Sequence, residues 1–365
     1  MSAANFFTGL IENAIAFDDV LIEPQFSTIE SRKDVSINTT LSNNLELKVP
    51  ILSANMDTVT GPRMARAMSE AGGIGCLHRF SDIEQNAKDY MSSPKETFVS
   101  IGVGEKEYER AVYLYERGAY NFIIDVAHGA ALHVVKQYDA IRTALGQNAH
   151  IMIGNFATSS GINEFCERSK SRIKPDSFKV GIGGGSMCTT RVVTGCGIPT
   201  LHSVLDARTT RRTIIADGGI KTSGDIVKAL AAGASAVMVG SLLSGTEETP
   251  GDIIAFEKTD TVLRKYTNYK EAPTHLWHKE YRGSASAESY KAQNKEASHR
   301  APEGERTLVK YKGTAGDVIN TLTAGLKSGM SYVNARDIKE LQNKAVFYKI
   351  SASGGKESQA HGKVL

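Results

Sequence analysis

The stretch "TIIADGGIKTSGDIVKALAAGASAVMVGSL", residues Thr213 to Leu242, decides the fold. It opens on a short apolar run, turns at Asp217-Gly218-Gly219 and continues with helical spacing from Ser223 to Ala232. Ile226 and Leu230 share one helix face, Ser223 reads as a cap, Asp225 stands in the first turn, and Gly233 follows the end. A second apolar run, "AVMVGSL" from Ala236, closes the unit. Neither run alternates polar with apolar residues, which suits strands covered on both faces. Strands joined through a helix return to the same end of a sheet and lie parallel.

The unit recurs. Near-continuous apolar runs begin at Pro50, Gly73, Phe98, Asn121, His150, Phe178, Thr213 and Ala236, spaced by about twenty to thirty-five residues with helical stretches between them. Arg63 to Ala71, rich in alanine and methionine and ended by Gly72-Gly73, is one of those helices. Eight strand–helix units predict an α/β fold, a (β/α)8 TIM barrel. A doubly wound open sheet is the runner-up, but the first strand is not followed by a dinucleotide fingerprint. Polar residues gather where the runs end: Asn55 and Asp57, His78, Asp125 and His128, Asn155, Asp217 and Ser241. In a barrel those positions share one mouth, where barrel enzymes hold their chemistry.

Composition narrows the function classes. The 365 residues are 41% hydrophobic and 23% charged, enough to bury a core without disulfides or metals. A formal net charge of +3 and the absence of a dense Lys/Arg block argue against a nucleic-acid partner. No apolar run is long enough for a membrane span. Cys76, Cys166, Cys188 and Cys196 match neither zinc nor redox spacing, and no secretory leader is read, so a reducing cytoplasm is expected.

Cys188 stands apart from its fellows. Cys76 lies inside a strand and Cys166 in a helix, where cysteine is a small hydrophobe. Cys188 ends the loop "GIGGGSMCTTR", Gly181 to Arg191, with Thr189, Thr190 and Arg191 after it. A thiol exposed at the mouth beside a cation reads as a nucleophile. The glycines before it serve either as a plain turn or as inward-facing backbone for an ion. Asp217-Gly218-Gly219 and Gly240-Ser241, at the ends of the seventh and eighth strands, suit a phosphate held by backbone amides, with Asp217 accepting from a ribose diol. A nucleoside monophosphate fits both. From Glu247 to Lys312 the chain is charged, rich in Tyr, His, Lys and Ser, and poor in apolar periodicity. That stretch reads as a mobile flap over the mouth, with Lys291 to Ser298 a candidate for disorder.

These motifs resemble the IMP dehydrogenase / GMP reductase family over almost the whole chain. The resemblance is carried by "FDDVLIEP" (Phe17 to Pro24), "ANMDTVT" (Ala54 to Thr60), "KVGIGGGSMCTTR" (Lys179 to Arg191), "ADGGIKTSGDIVKALAAGA" (Ala216 to Ala234), "VGSLLSGTEETPG" (Val239 to Gly251) and "YRGSAS" (Tyr281 to Ser286). It implies one barrel domain over 1–365, a flap at about 270–312 after the eighth strand, a tail at 350–365 and no regulatory insertion, since little separates His78 from Phe98. It also implies covalent attack of Cys188 on C2 of a purine nucleotide and hydride exchange with a nicotinamide.

Within the family, "HRAPEG" (His299 to Gly304) resembles the reductase flap, "ESRKDV" (Glu30 to Val35) the reductase cofactor segment, and the dehydrogenase "RYF" run is absent. "ADGGI", "GTEETPG" and the tail "ISASGGKESQAHG" (Ile350 to Gly362), similar to a potassium-binding dehydrogenase tail, lean the other way. The expectation is a GMP reductase, converting GMP and NADPH to IMP and ammonia. The alternatives are an IMP dehydrogenase using NAD, with His299 or Arg300 activating water, and a silent GMP sensor. The resemblance assigns catalysis to Cys188, Thr190 and Glu303. It places Ser186, Asp217, Gly218, Gly219, Gly240, Ser241, Tyr281, Gly283, Ser284, Arg300 and Gly304 around the nucleotide. NADPH falls to Ser31, Arg32, Arg79, Asp125, Val126 and Ala127. A monovalent cation, expected to be K+, falls to the carbonyls of Gly183, Gly185 and Cys188. A homotetramer is implied, with Ser31 and Arg32 serving a neighbouring subunit. Gly184 replaces the usual proline of the loop, and Ser284 a usual methionine.

Overall fold

A computed structural model describes residues 13–42, 44–258, 263–284, 286 and 302–358. Its eight parallel strands are β1 (Ile51–Ser53), β2 (Cys76–Leu77), β3 (Phe98–Ile101), β4 (Asn121–Asp125), β5 (His150–Phe156), β6 (Ser177–Val180), β7 (Ile214–Asp217) and β8 (Ala236–Val239). The order around the sheet is β1-β8-β7-β6-β5-β4-β3-β2. A parallel bridge between Leu52 and Ile74 brings the two ends together, so the sheet closes as a (β/α)8 barrel. Each apolar run of the sequence supplies one of these strands.

At least one helix follows each strand: α1 (Pro62–Glu70), α2 (Ile83–Met91), α3 (Glu105–Tyr115), α4 (Leu132–Leu145), α5 (Ser159–Arg168), α6 (Thr200–Ala207), α7 (Ser223–Ala231) and α8 (Ala315–Tyr332), with a further short helix at Thr190–Thr194 after β6. The cap of α7 is Thr222, not Ser223. Its hydroxyl accepts from the Asp225 amide, and the Asp225 carboxylate accepts from the Thr222 amide at 3.0 Å, a reciprocal box that fixes the helix start. Ile226 and Leu230 of α7 are fully buried, as their spacing requires. Between β2 and β3 the chain has only the short α2 and its loops.

The two ends of the barrel differ. The strand-start end is covered by a hairpin of Thr39–Ser42 and Leu45–Leu47. Beneath it His150, the first residue of β5, is locked between Ser42 Oγ at 3.0 Å and Ser177 Oγ at 2.8 Å. Burial pushes this imidazole down to about 4. The strand-end face carries the loops and, beyond β8, an antiparallel sheet. Its strands are β9 (Ile254–Lys258), β10 (Leu263–Lys265), β11 (Trp277–Arg282) and β12 (Arg306–Lys310), ordered β10-β9-β11-β12. The stretch that lacked apolar periodicity therefore contains strands. Four of the five β12 residues are exposed, so no buried face marks it in sequence.

Among the described residues, no helix is long and apolar enough to cross a membrane.

Candidate active site

β6 carries a lysine into the barrel. Phe178 and Val180 beside it are fully buried, and Lys179 itself is only 4% exposed. Its side chain crosses above Gly154, where an added Cβ would stand 2.5 Å from that of Lys179. The ammonium lies 3.0 Å from Asp125 Oδ1, at the end of β4, and 2.9 Å from Asp217 Oδ2, at the end of β7. Asn155 of β5 donates to the same Asp217 oxygen at 2.9 Å and to the Gly181 carbonyl at 2.7 Å. Burial disfavours charge on Lys179 and Asp125, yet their pairing prevails: the ammonium is held above the usual lysine value and the Asp125 carboxyl below the usual range. Among the described residues, Asp217 Oδ1 has no partner, which leaves it open to a ligand.

The glycines of the Gly181–Arg191 loop are there for close approach. A Cβ on Gly181, whose φ is +143°, would sit 1.9 Å from the Asp217 carbonyl oxygen. One on Gly218 would meet the Gly185 amide at 2.8 Å. The loops after β6 and β7 thus pack backbone against backbone, which only glycine permits. Gly184 is confined by a side chain instead, since a Cβ there would lie 2.4 Å from Thr200 Oγ1. Gly219 lies beside it, near the Gly184 carbonyl and the Phe17 ring.

Cys188 is half-buried at the end of this loop, whereas Cys76 and Cys166 are buried and Cys196 is exposed. Its Sγ lies 3.1 Å from Thr190 Oγ1, which donates to Glu303 Oε2 at 2.6 Å. A threonine hydroxyl has one proton, and here Glu303 receives it, so the thiol S–H points to Thr190. The result is a directed chain from thiol through hydroxyl to carboxylate. Backbone pairing holds the carboxylate in place: Thr189 N donates to Glu303 O, Glu305 N to Met187 O and Gly283 N to Glu305 O, each at 2.9 Å. Gly304 forms bridges with Cys188 and Ser286. The cation expected beside the thiol is directed elsewhere. Arg191 donates to the carbonyls of Ile198, at 2.7 Å, and Ile182, at 3.5 Å, and so ties the loop to itself.

Tyr281 enters from β11 and is 4% exposed. Its hydroxyl is 3.3 Å from Ser186 Oγ, and a Cβ on Gly240 would lie 3.1 Å from it. Burial raises this phenol above its ordinary value. Ser241 stands alongside, its carbonyl accepting from Lys312 Nζ at 2.6 Å. Burial lowers that ammonium from the usual lysine value.

These parts surround one cavity of about 500 Å³. Cys188, Thr190, Glu303, Asp217, Gly218, Tyr281, Gly283, Ser284, Gly183 and Gly185 line it, and so do Arg79, Asp125, Val126 and Ala127. Ser186, Gly219, Gly240, Ser241 and Gly304 are not among its lining residues; Ser186 and Gly240 adjoin it through Tyr281, Gly219 through the Gly184 carbonyl, Gly304 through its bridge to Cys188, and Ser241 follows Gly240 in the chain. Arg300, like His299 and residues 291–298, lies outside the described residues. Ser31 and Arg32 are not brought to the cavity. Ser31 caps a short turn at Arg32–Asp34, and the chain just after it pairs with Arg336, beyond the end of α8.

The sequence does not reveal the role of Lys179, nor that Asp57, expected at the mouth, pairs with Arg282; the latter two side chains meet through Arg282 Nη2 and Asp57 Oδ2 at 2.5 Å. A lysine inside a continuously apolar strand was the available signal for the first. The second joins residues 225 positions apart, which no local pattern reveals.

The cavity therefore joins a thiol with its own proton relay to a carboxylate and glycine cradle suited to a sugar phosphate. At its far end Arg79 Nη2 donates to the Asp125 carbonyl at 3.4 Å, while Arg79 Nε is buried and has no partner among the described residues. An orphaned donor there fits a polar ligand group at this end.

Comparison with known proteins shows the family and the fold. The model of the IMP dehydrogenase / GMP reductase domain matches residues 14–361. Inosine-5'-monophosphate dehydrogenase of Cryptosporidium parvum is 33% identical over 96% of this chain and 96% of its own. The Aquifex aeolicus enzyme of that name is 30% identical, with the same coverage. Among solved structures, a cysteine-to-alanine variant of GMP reductase from Trypanosoma brucei, in complex with guanosine 5'-monophosphate, superposes with a TM-score of 0.84 at 26% identity, covering 98% of this chain and 99% of that one. Inosine 5' monophosphate dehydrogenase from Legionella pneumophila gives 0.80 at 39% identity, covering 94% and 100%.

Proposed function

This chain belongs to the IMP dehydrogenase / GMP reductase family of purine-nucleotide oxidoreductases, and we propose that within it the protein is a GMP reductase, using NADPH to convert GMP to IMP and ammonia. The observation that carries the reading is the hydrogen-bonded chain from Cys188 through Thr190 to Glu303. Expelling an amine from C2 needs a nucleophile on one side and a proton on the other, and this chain provides both.

The proton accounting follows from the geometry. As Cys188 Sγ bonds to C2, its proton passes to Thr190 while Thr190's own proton passes to Glu303. Reversal of that relay delivers one proton to the C2 amine, the carbon–nitrogen bond breaks, and ammonia leaves with the electron pair. Asp217 Oδ1 accepts from the ribose diol. Ser186, Tyr281, Gly219, Gly240 and Ser241 surround the phosphate, with Gly283, Ser284 and Gly304 closing on the base. Arg79, Asp125, Val126 and Ala127 would hold a reduced nicotinamide, which would supply hydride at C2. Cys188 then departs as thiolate and is reprotonated from solvent. The carbonyls of Gly183, Gly185 and Cys188 are the proposed holders of a monovalent cation. In a tetramer, Ser31 and Arg32 would serve a neighbour's cofactor.

A second reading, an IMP dehydrogenase using NAD, is favoured by the curated relatives at about 30% identity, which carry that name. Two assays separate the readings. Loss of NADPH coupled to ammonia with GMP supports the reductase. NADH formed from IMP and NAD, without ammonia from GMP, overturns it.

A further inference from the structure

We infer that a ladder of four charges, Asp57, Arg282, Glu280 and Arg306, registers the flap sheet on the barrel and thereby positions Glu303 against Thr190. The inference rests on the reading above, in which Glu303 protonates the departing amine. Arg282 forks Asp57, with Nη2 at 2.5 Å from Oδ2 and Nε at 3.3 Å from Oδ1. Such a two-point contact fixes orientation as well as distance. The side chains are 21% and 11% exposed. The backbone is docked at the same place, since the Arg282 amide donates to Thr58 Oγ1 at 3.2 Å. The ladder then crosses β11 to β12: Arg282 Nη1 lies 3.3 Å from Glu280 Oε1, and Arg306 Nη2 lies 2.8 Å from Glu280 Oε2.

The pairing of the strands explains the need for Glu280. Arg282 and Arg306 are directly opposite across β11 and β12. Like charges so placed repel, and a carboxylate shared between them holds this register against a slip. The other side of β11 is fixed as well. Lys279, buried, donates to the Thr249 carbonyl at 2.5 Å and the Glu247 carbonyl at 3.3 Å, while Tyr281 meets Ser186. Arg306 is three residues beyond Glu303. A slip of one residue moves a strand by about 3.3 Å and turns its side chains to the other face. The 2.6 Å contact between Thr190 and Glu303 does not survive such a slip. The Glu280–Arg306 pair is half-exposed on its arginine side and adds little to stability. Its role is placement.

The test compares a C2 step that needs Glu303 with one that does not. Ammonia release from GMP requires the relay. In 2-chloroinosine 5'-monophosphate, Cys188 can form its carbon–sulfur bond as carbon–chlorine breaks, the electron pair leaving with chloride, with no acid required. At alkaline pH the thiol proton goes to hydroxide. Arg282→Met and Asp57→Asn, in the full chain, should lower kcat for ammonia release by about 10²-fold, the cost of a displaced catalytic group. They should leave chloride displacement at saturation at the wild-type rate. The double variant should be no slower than the slower single variant, and Arg282→Lys, with charge but no fork, should fall between. Parallel loss of chloride displacement, or unchanged ammonia kcat, overturns the inference. If the wild type releases no ammonia from GMP, the reductase reading fails by itself. The ladder is then judged on IMP oxidation, where slowed turnover with intact chloride displacement sustains it and parallel loss overturns it.

Discussion

Replacing Lys179 with methionine removes the ammonium shared by Asp125 and Asp217. The two contacts, at 3.0 and 2.9 Å, are each worth about 5.5 kcal/mol of attraction at an effective dielectric of about 20. Desolvation of the buried ammonium opposes that gain and is recovered in the variant. What remains is the cost of leaving two largely but not fully buried carboxylates without their cation, about 3–5 kcal/mol at neutral pH. The sign with pH follows from linkage. Asp125, held below the usual carboxylate range in the native protein, loses the cation that holds it there, so the variant takes up protons more readily on acidification. The deficit is therefore largest above the ordinary carboxylate range and shrinks as pH falls towards it. Urea unfolding of both proteins at neutral pH and near pH 5 measures this. Adding Asp125→Asn to the variant should return part of the lost stability, because one unpaired charge is gone. A deficit below about 1 kcal/mol, typical of an exposed pair, or one equal at both pH values, would refute the reasoning.

Thr190→Val breaks the relay while keeping the shape, and kcat for ammonia release should fall about 10²- to 10³-fold, with GMP affinity by calorimetry unchanged. Gly154→Ala sets a methyl 2.5 Å from the Lys179 Cβ and should cost about 1–3 kcal/mol in urea unfolding. His150, held neutral down to about 4 in the native protein, gains its proton near 6.5 on unfolding. Its contribution is complete above that value and is lost as pH falls from 6.5 towards 4, a difference of roughly 3 kcal/mol. A His150→Gln variant should show a flatter loss of stability across that window, and an identical slope would count against the argument.

The barrel was legible because its strands are buried on both faces. All eight apolar runs mark strands, since a fully covered strand leaves a continuous signature that needs no partner to recognise. The outer sheet was not legible for the opposite reason. Arg306–Lys310 is mostly exposed and its pairing with Trp277–Arg282 spans residues that share no apolar period. At the site, a glycine run followed by Cys188 could be read from residue types. The reason for the glycines could not, because the backbone that Gly181 must approach belongs to Asp217. The role expected of Arg191 differs for a similar reason: charge beside a thiol in sequence says nothing of where a long side chain spends its donors, and Arg191 spends them on loop carbonyls. Lys179 shows what a sequence can signal without explaining. A charge within "FKV" is conspicuous, but its partners Asp125 and Asp217 lie on β4 and β7.

In the proposed reductase, Cys188, Thr190 and Glu303 act as one relay that expels ammonia from C2. A single turnover with enzyme in excess over GMP, NADPH present and ammonia followed in time, tests it most directly. The relay predicts one ammonia for each GMP with the wild type and none on that timescale with Glu303→Gln, although the variant still binds GMP. No ammonia from the wild type, or the same ammonia from Glu303→Gln, would contradict it.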